Sequence, residues 1–156
     1  MVKIVTGTNG SGKTTYLREV YETNRTGDGV LSLRHFSGET LTGYDMLHLQ
    51  SGNRYPLIRL KDRLPAGWDE HGETGSYSFS REGFRIAEDI LRGIRTAPVY
   101  IDEIGPLEIL QKKGFFQLLQ EFSARGTALF LSVRESLLDD MIRMFFYDKE
   151  IEIITR

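Results

Sequence analysis

The sequence predicts an α/β protein, with a mostly parallel central sheet, helices on both faces and an antiparallel hairpin insertion. Three observations predict it. Short apolar, β-branched runs alternate with segments of helical periodicity along most of the 156 residues. The first run leads straight into Gly7-Thr8-Asn9-Gly10-Ser11-Gly12-Lys13-Thr14, a G-x-x-x-x-G-K-T loop that opens a helix. A second apolar run, Val99-Tyr100-Ile101, ends in the adjacent carboxylates Asp102 and Glu103.

Composition narrows the class. A length of 156 residues suits one domain spanning 1–156 with a proper core. Hydrophobic residues at 40% and charged residues at 27% are those of an ordinary globular chain. A net charge of −2 and an isoelectric point near 5.9 argue against a broadly basic nucleic-acid-binding face. The absence of cysteine excludes disulfides, thiolate zinc sites and cysteine nucleophiles. No apolar run is long enough to span a membrane. The first residues enter a strand without a charged segment and apolar core before it, so no signal peptide is expected. A cytoplasmic monomer is the expectation.

The elements follow in order. Residues 1–6 read as a buried central strand, and 12–24 as the first helix, ended by Gly27 and Gly29. Strands over 30–36 and 41–50 flank Ser37-Gly38-Glu39-Thr40, a hairpin turn. Residues 54–60 form a third strand, which Pro56 would place at a sheet edge. The polar stretch 61–74 carries Pro65, Gly67 and Gly72. It reads either as a surface connection whose lone Trp68 packs down locally or as a mobile loop near the phosphate site. Residues 75–79 read as another short strand. Ser80 is placed to cap a helix, with Phe84, Ala87, Leu91 and Ile94 at helical spacing as far as about Thr96. Residues 98–101 are a buried strand. Phe115, Leu118, Leu119 and Phe122 share one face of a helix over 114–125, closed by Gly126. A strand over 127–133, a helix capped by Ser136 and a strand over 150–154 complete the chain.

The glycine-rich loop predicts a phosphate site. Its glycines let the backbone curl with N–H groups pointing inward, and the helix behind it adds the positive end of its dipole. Residues Gly7 to Thr15 would line the nucleotide. Lys13 would reach the β- and γ-phosphates, and the Thr14 hydroxyl would bind Mg²⁺. Parallel-sheet ligands bind at the carboxyl ends of strands, where Asp102 also falls. Asp102 would hold the Mg²⁺ opposite Thr14, and Glu103 would orient and deprotonate a water aimed at the γ-phosphate. Ser132, at the end of the 127–133 strand, reads either as a γ-phosphate sensor or as a cap on the turn that follows. Arg34 would stabilise developing charge if the hairpin folds over the site. His35, His48 and His71 lack metal-ligand spacing and read as structural or solvated.

With the loop and Asp102-Glu103-Ile104-Gly105-Pro106-Leu107-Glu108 both in view, the chain resembles the small P-loop nucleoside triphosphatases. That family includes the human cancer-related nucleoside-triphosphatase and archaeal and bacterial thermophile relatives. Further landmarks fall in the family's order: Thr6-Gly7, Gly12-Lys13-Thr14-Thr15, Arg34 before Gly43-Tyr44-Asp45, Gly75-Ser76-Tyr77 and Gly83-Phe84. The resemblance implies a RecA-like core and Mg²⁺-dependent hydrolysis of nucleoside triphosphates, ATP and GTP among them. It also implies loose base selectivity and slow turnover. It places the catalytic lysine at Lys13, the metal-binding hydroxyl at Thr14 and the carboxylate pair at Asp102 and Glu103. The chain departs at Arg134, where relatives often carry His, and at Thr155-Arg156, where a short polar tail is expected. These departures bear on base recognition and on any in-chain arginine finger, and leave the phosphate chemistry intact.

Two other functions fit the same residues. One is a small-molecule or nucleoside kinase with an arginine lid from Arg54, Arg59, Arg63, Arg81 and Arg85. The other is a nucleotide-dependent switch in which hydrolysis only times the release of a partner.

Overall fold

All nine strands join one sheet in the computed structural model, which describes residues 1–156. The strands are β1 (Val2–Gly7), β2 (Asp28–Ser37), β3 (Thr40–His48), β4 (Arg54–Leu60), β5 (Glu70–Thr74), β6 (Tyr77–Ser80), β7 (Val99–Ile104), β8 (Leu129–Arg134) and β9 (Ile151–Thr155). Their order across the sheet is β5-β6-β4-β3-β2-β7-β8-β1-β9. Helices α1 (Lys13–Asn24), α2 (Arg81–Gly93), α3 (Pro106–Ile109), α4 (Phe116–Arg125) and α5 (Leu138–Met141) connect them. The predicted α/β class, with helices on both faces, holds.

The sheet has two halves that share β2. From β2 through β7, β8 and β1 to β9 every pairing is parallel. From β2 through β3, β4 and β6 to β5 every pairing is antiparallel. The sheet is therefore half parallel rather than mostly so, and the insertion is a four-stranded wing rather than a single hairpin. Each wing strand pairs onto the edge left by the last, so buried backbone groups stay satisfied.

The two faces bury separate cores. On one face Val5, Leu17, Tyr21, Leu31, Tyr100 and Phe130 pack under α1. On the other, a larger cluster gathers Ile4, Ile101, Leu131 and Val133 with Phe84 and Leu91 of α2 and Leu118, Leu119 and Phe122 of α4. In β7 and β8 successive side chains alternate between the two cores, as the period of a strand requires.

Several elements differ from the sequence reading for local reasons. Arg25, not Gly27, ends α1: it adopts φ 53 and its N–H donates to the Tyr21 carbonyl. Pro56 lies in an interior strand, because β6 pairs with β4 only from Ile58 to Leu60 and leaves the Pro56 stretch without a partner on that side. Residues Glu70–Thr74 are a strand, held by pairing to β6 although they carry no apolar side chain. Trp68 donates from Nε1 to Ser78 Oγ at 3.0 Å, the local packing expected of it. Ser80 caps α2 by accepting from the Gly83 N–H at 2.9 Å, and Gly126 closes α4 at φ 68. Ser136 caps nothing; it lies in a 3-10 turn ahead of α5, which continues as a π-helical turn over Ile142–Phe146.

Candidate active site

The glycine-rich loop leaves β1 at the carboxyl end of the parallel strands and delivers α1. Gly10 and Gly12 sit at φ 75 and 94, a region closed to most side chains. Gly12 precedes the helix, so α1 starts with no side-chain cap and no acidic residue in its first turn. Its first N–H groups are thus free to meet an anion. Lys13 is only 4% exposed and folds back on the loop, donating from Nζ to the carbonyls of Thr8 at 2.7 Å and Gly7 at 3.3 Å. Asn9, Gly10, Gly12, Lys13, Thr14 and Thr15 face one cleft. Ser11 Oγ is buried beside them without a partner.

A bulge brings the carboxylates to that cleft. Pairing between β7 and β8 shifts register between Ile101 and Ile104, so that Asp102 and Glu103 lie in the irregular step. Glu103 takes φ 59, a left-handed conformation that costs a non-glycine residue about 1 kcal/mol or more. Its N–H donates to Ser132 Oγ at 2.8 Å, and its side chain opens to the cleft. Loss of solvation along the cleft wall and the charge of neighbouring Asp102 push the Glu103 carboxyl up to about 6, against the pull of Lys13 and Arg134.

Asp102 itself is 4% exposed and accepts from three donors. Thr14 Oγ1 donates to Oδ2 at 2.6 Å, the Ser32 N–H donates to Oδ2 at 3.0 Å, and Ser132 Oγ donates to Oδ1. Burial pushes this carboxyl above the ordinary aspartate range, and the Ser132 and Thr14 hydroxyls and the Ser32 N–H draw it back. Ser132 is fully buried and neither faces the cleft nor caps the next turn; it orients Asp102.

The donor set suits a hard divalent cation. Thr14 gives its proton to Asp102 and so keeps oxygen lone pairs for a metal. Beside it, Ser32 Oγ is buried, unpartnered and on the cleft wall. No cluster of three His, Cys, Asp or Glu side chains stands ready to cage a metal. Such a set matches Mg²⁺, which takes one or two protein oxygens with phosphate and water.

Three cations border the phosphate loop. Besides Lys13, Arg34 reaches over it: a Cβ at Gly10 would lie 3.9 Å from the Arg34 guanidinium. Arg134 ends β8 opposite Gly7 in register and lines the cleft. The sequence reading did not count Arg134 among the site residues; its position two residues after Ser132, at the end of the same strand, was the available signal. None of the five arginines offered as a lid lines the cleft. Arg54 and Arg59 pair with Asp45, Arg81 with Asp69, and Arg85 with Glu82 and Asp89. The histidines stand apart from the phosphate loop: His48 pairs with Asp28, His35 with Thr42, and His71 accepts from the Gly114 N–H.

Glu108 is a further buried carboxylate, 3% exposed, whose oxygens accept from the N–H groups of Gly105 at 3.1 Å and Phe115 at 3.0 Å. Burial pushes it up to about 7. It ties the start of α3 to the loop before α4.

An uncapped helix start, a hydroxyl–carboxylate pair and an open glutamate meeting in one cleft describe a nucleotide hydrolase. The family model described as NTPase matches residues 3–155, and the chain belongs to that family of nucleoside-triphosphate hydrolases. The solution structure of a human cancer-related nucleoside triphosphatase is similar, with TM-score 0.71 and 24% identity over 97% of this chain and 86% of that one. At that identity the likeness shows the fold. A comparison with curated protein sequences finds no match.

Proposed function

We propose that the protein is an Mg²⁺-dependent nucleoside triphosphatase, a single RecA-like P-loop domain. It hydrolyses ATP, GTP and other nucleoside triphosphates to the diphosphate and phosphate, with loose base selectivity and slow turnover. The observation that carries this reading is the placement of Glu103. A strained bulge turns an open carboxylate into the cleft beside Lys13, Arg34 and Arg134.

Residues 7–15 and the start of α1 take the β- and γ-phosphate oxygens on their N–H groups. Lys13 exchanges its bonds to the Thr8 and Gly7 carbonyls for phosphate oxygens. Thr14 and Asp102 of the Walker A and Walker B motifs would hold Mg²⁺, which neutralises charge on the phosphates. Glu103 accepts the proton of a water attacking the γ-phosphorus. Arg34 and Arg134 meet the charge that grows on the transferring group. Ser132 fixes Asp102 and, through the Glu103 N–H, the bulge.

The test is phosphate release from a panel of purine and pyrimidine nucleoside triphosphates, with and without Mg²⁺ and with no acceptor present. Comparable release from all of them, only with Mg²⁺, is expected. Silence without an acceptor overturns the reading.

A further inference from the structure

The cleft does not end at the phosphate loop. It encloses about 680 Å³ and continues past Glu103 into the antiparallel wing.

Its far end is built of apolar and aromatic groups. Arg34, Tyr44, Ile58 and Phe79 stand directly opposite one another across β2, β3, β4 and β6, a single row on one face. The Tyr77 ring lies 6.0 Å from that of Tyr44, and Pro106 and Leu107 border the cleft with them. Tyr44, Ile58, Tyr77 and Phe79 are each only half-buried, so the row shows apolar surface to the cleft. The cleft's three cations, Lys13, Arg34 and Arg134, all border the phosphate loop. Arg34 opens the row beside Tyr44, over the phosphate loop, whereas Ile58, Tyr77 and Phe79 border the cleft with no further cation, so an occupant of that stretch carries no phosphate of its own.

The row also lies on the sheet face away from α1. Ile58 and Phe79 pack toward the core under α2, while α1 covers Leu31 and Leu33 on the opposite face. The α-phosphate and nucleoside of a bound nucleotide belong to the Thr14–Thr15 end of the loop, where α1 begins. The aromatic end instead shares the cleft with Glu103, the residue read above as the base, so its occupant would approach a γ-phosphate from the side of that base.

We propose that this aromatic end is an acceptor site for an uncharged planar alcohol the size of a nucleoside, which takes the γ-phosphoryl group in place of water. The proposal rests on the reading of Glu103 as the base. The acceptor hydroxyl oxygen forms a bond to the γ-phosphorus, and its proton passes to the Glu103 carboxylate. The bond from the γ-phosphorus to the bridging oxygen breaks, and its electron pair leaves with the nucleoside diphosphate. The products are a phosphate monoester and the diphosphate.

The test incubates the protein with ATP and Mg²⁺ and, separately, adenosine, guanosine, cytidine, uridine, thymidine and pyridoxine as probes. Phosphorus NMR reads monoester and free phosphate in the same sample. At least one probe is expected to yield ester. Tyr77→Ala should lower that yield by about tenfold, the worth of one aromatic contact to a planar ring, with phosphate release in the absence of probe unchanged. Phe79→Leu, which keeps the site apolar, serves if Tyr77→Ala does not fold by circular dichroism; it should raise the probe concentration needed for half-maximal ester. Free phosphate without ester from any probe overturns the acceptor site and leaves the hydrolase reading intact. An effect of Tyr77→Ala on nucleotide KM or base preference instead of on ester overturns it in favour of a nucleobase pocket. Neither product from the unaltered protein overturns both readings together.

Discussion

Thr14 and Asp102, 88 residues apart in the chain, are joined by a 2.6 Å hydrogen bond that the Thr14 hydroxyl donates. The bond fixes the direction of the Thr14 lone pairs, and two further donors fix Asp102. The proposed metal site is therefore preorganised by hydrogen bonds rather than by a cage of carboxylates.

Ser132→Ala tests that preorganisation. It removes one donor to Asp102 and the acceptor for the Glu103 N–H. Leaving those buried groups unmet should cost about 1–3 kcal/mol, seen as a lower denaturation midpoint. The variant should also need more Mg²⁺ for half-maximal phosphate release. A stability loss with an unchanged Mg²⁺ requirement would show that Ser132 serves the fold alone.

Two substitutions at Glu103 should separate its chemistry from its backbone. Glu103→Gln keeps the shape and removes the base, so turnover should fall by roughly 100-fold or more while nucleotide affinity stays close to normal. Glu103→Gly should be equally inactive yet more stable by about 1 kcal/mol, because glycine tolerates φ 59 without strain. Near-normal turnover in Glu103→Gln would end its assignment as the base.

Arg34 is exposed and extends over the phosphate loop at Gly10. Arg34→Ala should leave the denaturation midpoint unchanged and lower kcat by about 10–100-fold, with a smaller change in nucleotide affinity. Lys13→Ala should lose both affinity and turnover, because in the proposed role Lys13 would meet the phosphates before and during the reaction. Titration calorimetry with a nucleoside diphosphate distinguishes the two patterns.

Glu108 makes stability depend on pH in a direction opposite to that of a salt-bridged carboxylate. Its folded value is raised from 4.5 to about 7, so between those values the folded state holds a proton the unfolded chain has lost. Stability should therefore fall as pH rises from about 4.5 to about 7, by roughly 3 kcal/mol, and then level off. Glu108→Gln should abolish that slope in urea melts run across this range. An unchanged slope would assign it to other groups.

The parallel half of the sheet was legible in the sequence because each of its signals is local. The loop at Gly7 to Thr14, the Ser80 cap, the Gly126 stop and the apolar runs of β1, β7 and β8 each span a few residues. The wing was less legible. Glu70–Thr74 has no apolar pattern and becomes a strand only by pairing with β6. Pro56 read as an edge signal because sequence alone does not show that β6 stops short of it. In the site, Asp102 and Glu103 were visible as a pair, but the bulge that parts their directions needs the offset between β7 and β8. The row from Arg34 to Phe79 depends on register across four strands, and no spacing in the sequence encodes it.

Only residues 28–30 of β2 pair with β7, and beyond them the strand runs on as the first member of the wing. Within the sheet the wing is thus rooted in three residues; the Ser32 N–H on Asp102 braces it near the phosphate loop, and α2 and the Gly114 N–H on His71 hold it farther out. A hinged lid closes through a flexible loop, whereas here a backbone hydrogen bond connects the wing at Ser32 to Asp102, the carboxylate of the proposed metal site. Stiffening the hairpin tip at Gly38 and Glu39 should leave this linkage untouched, while loosening residues 30–32 should blur both ends of the cleft at once.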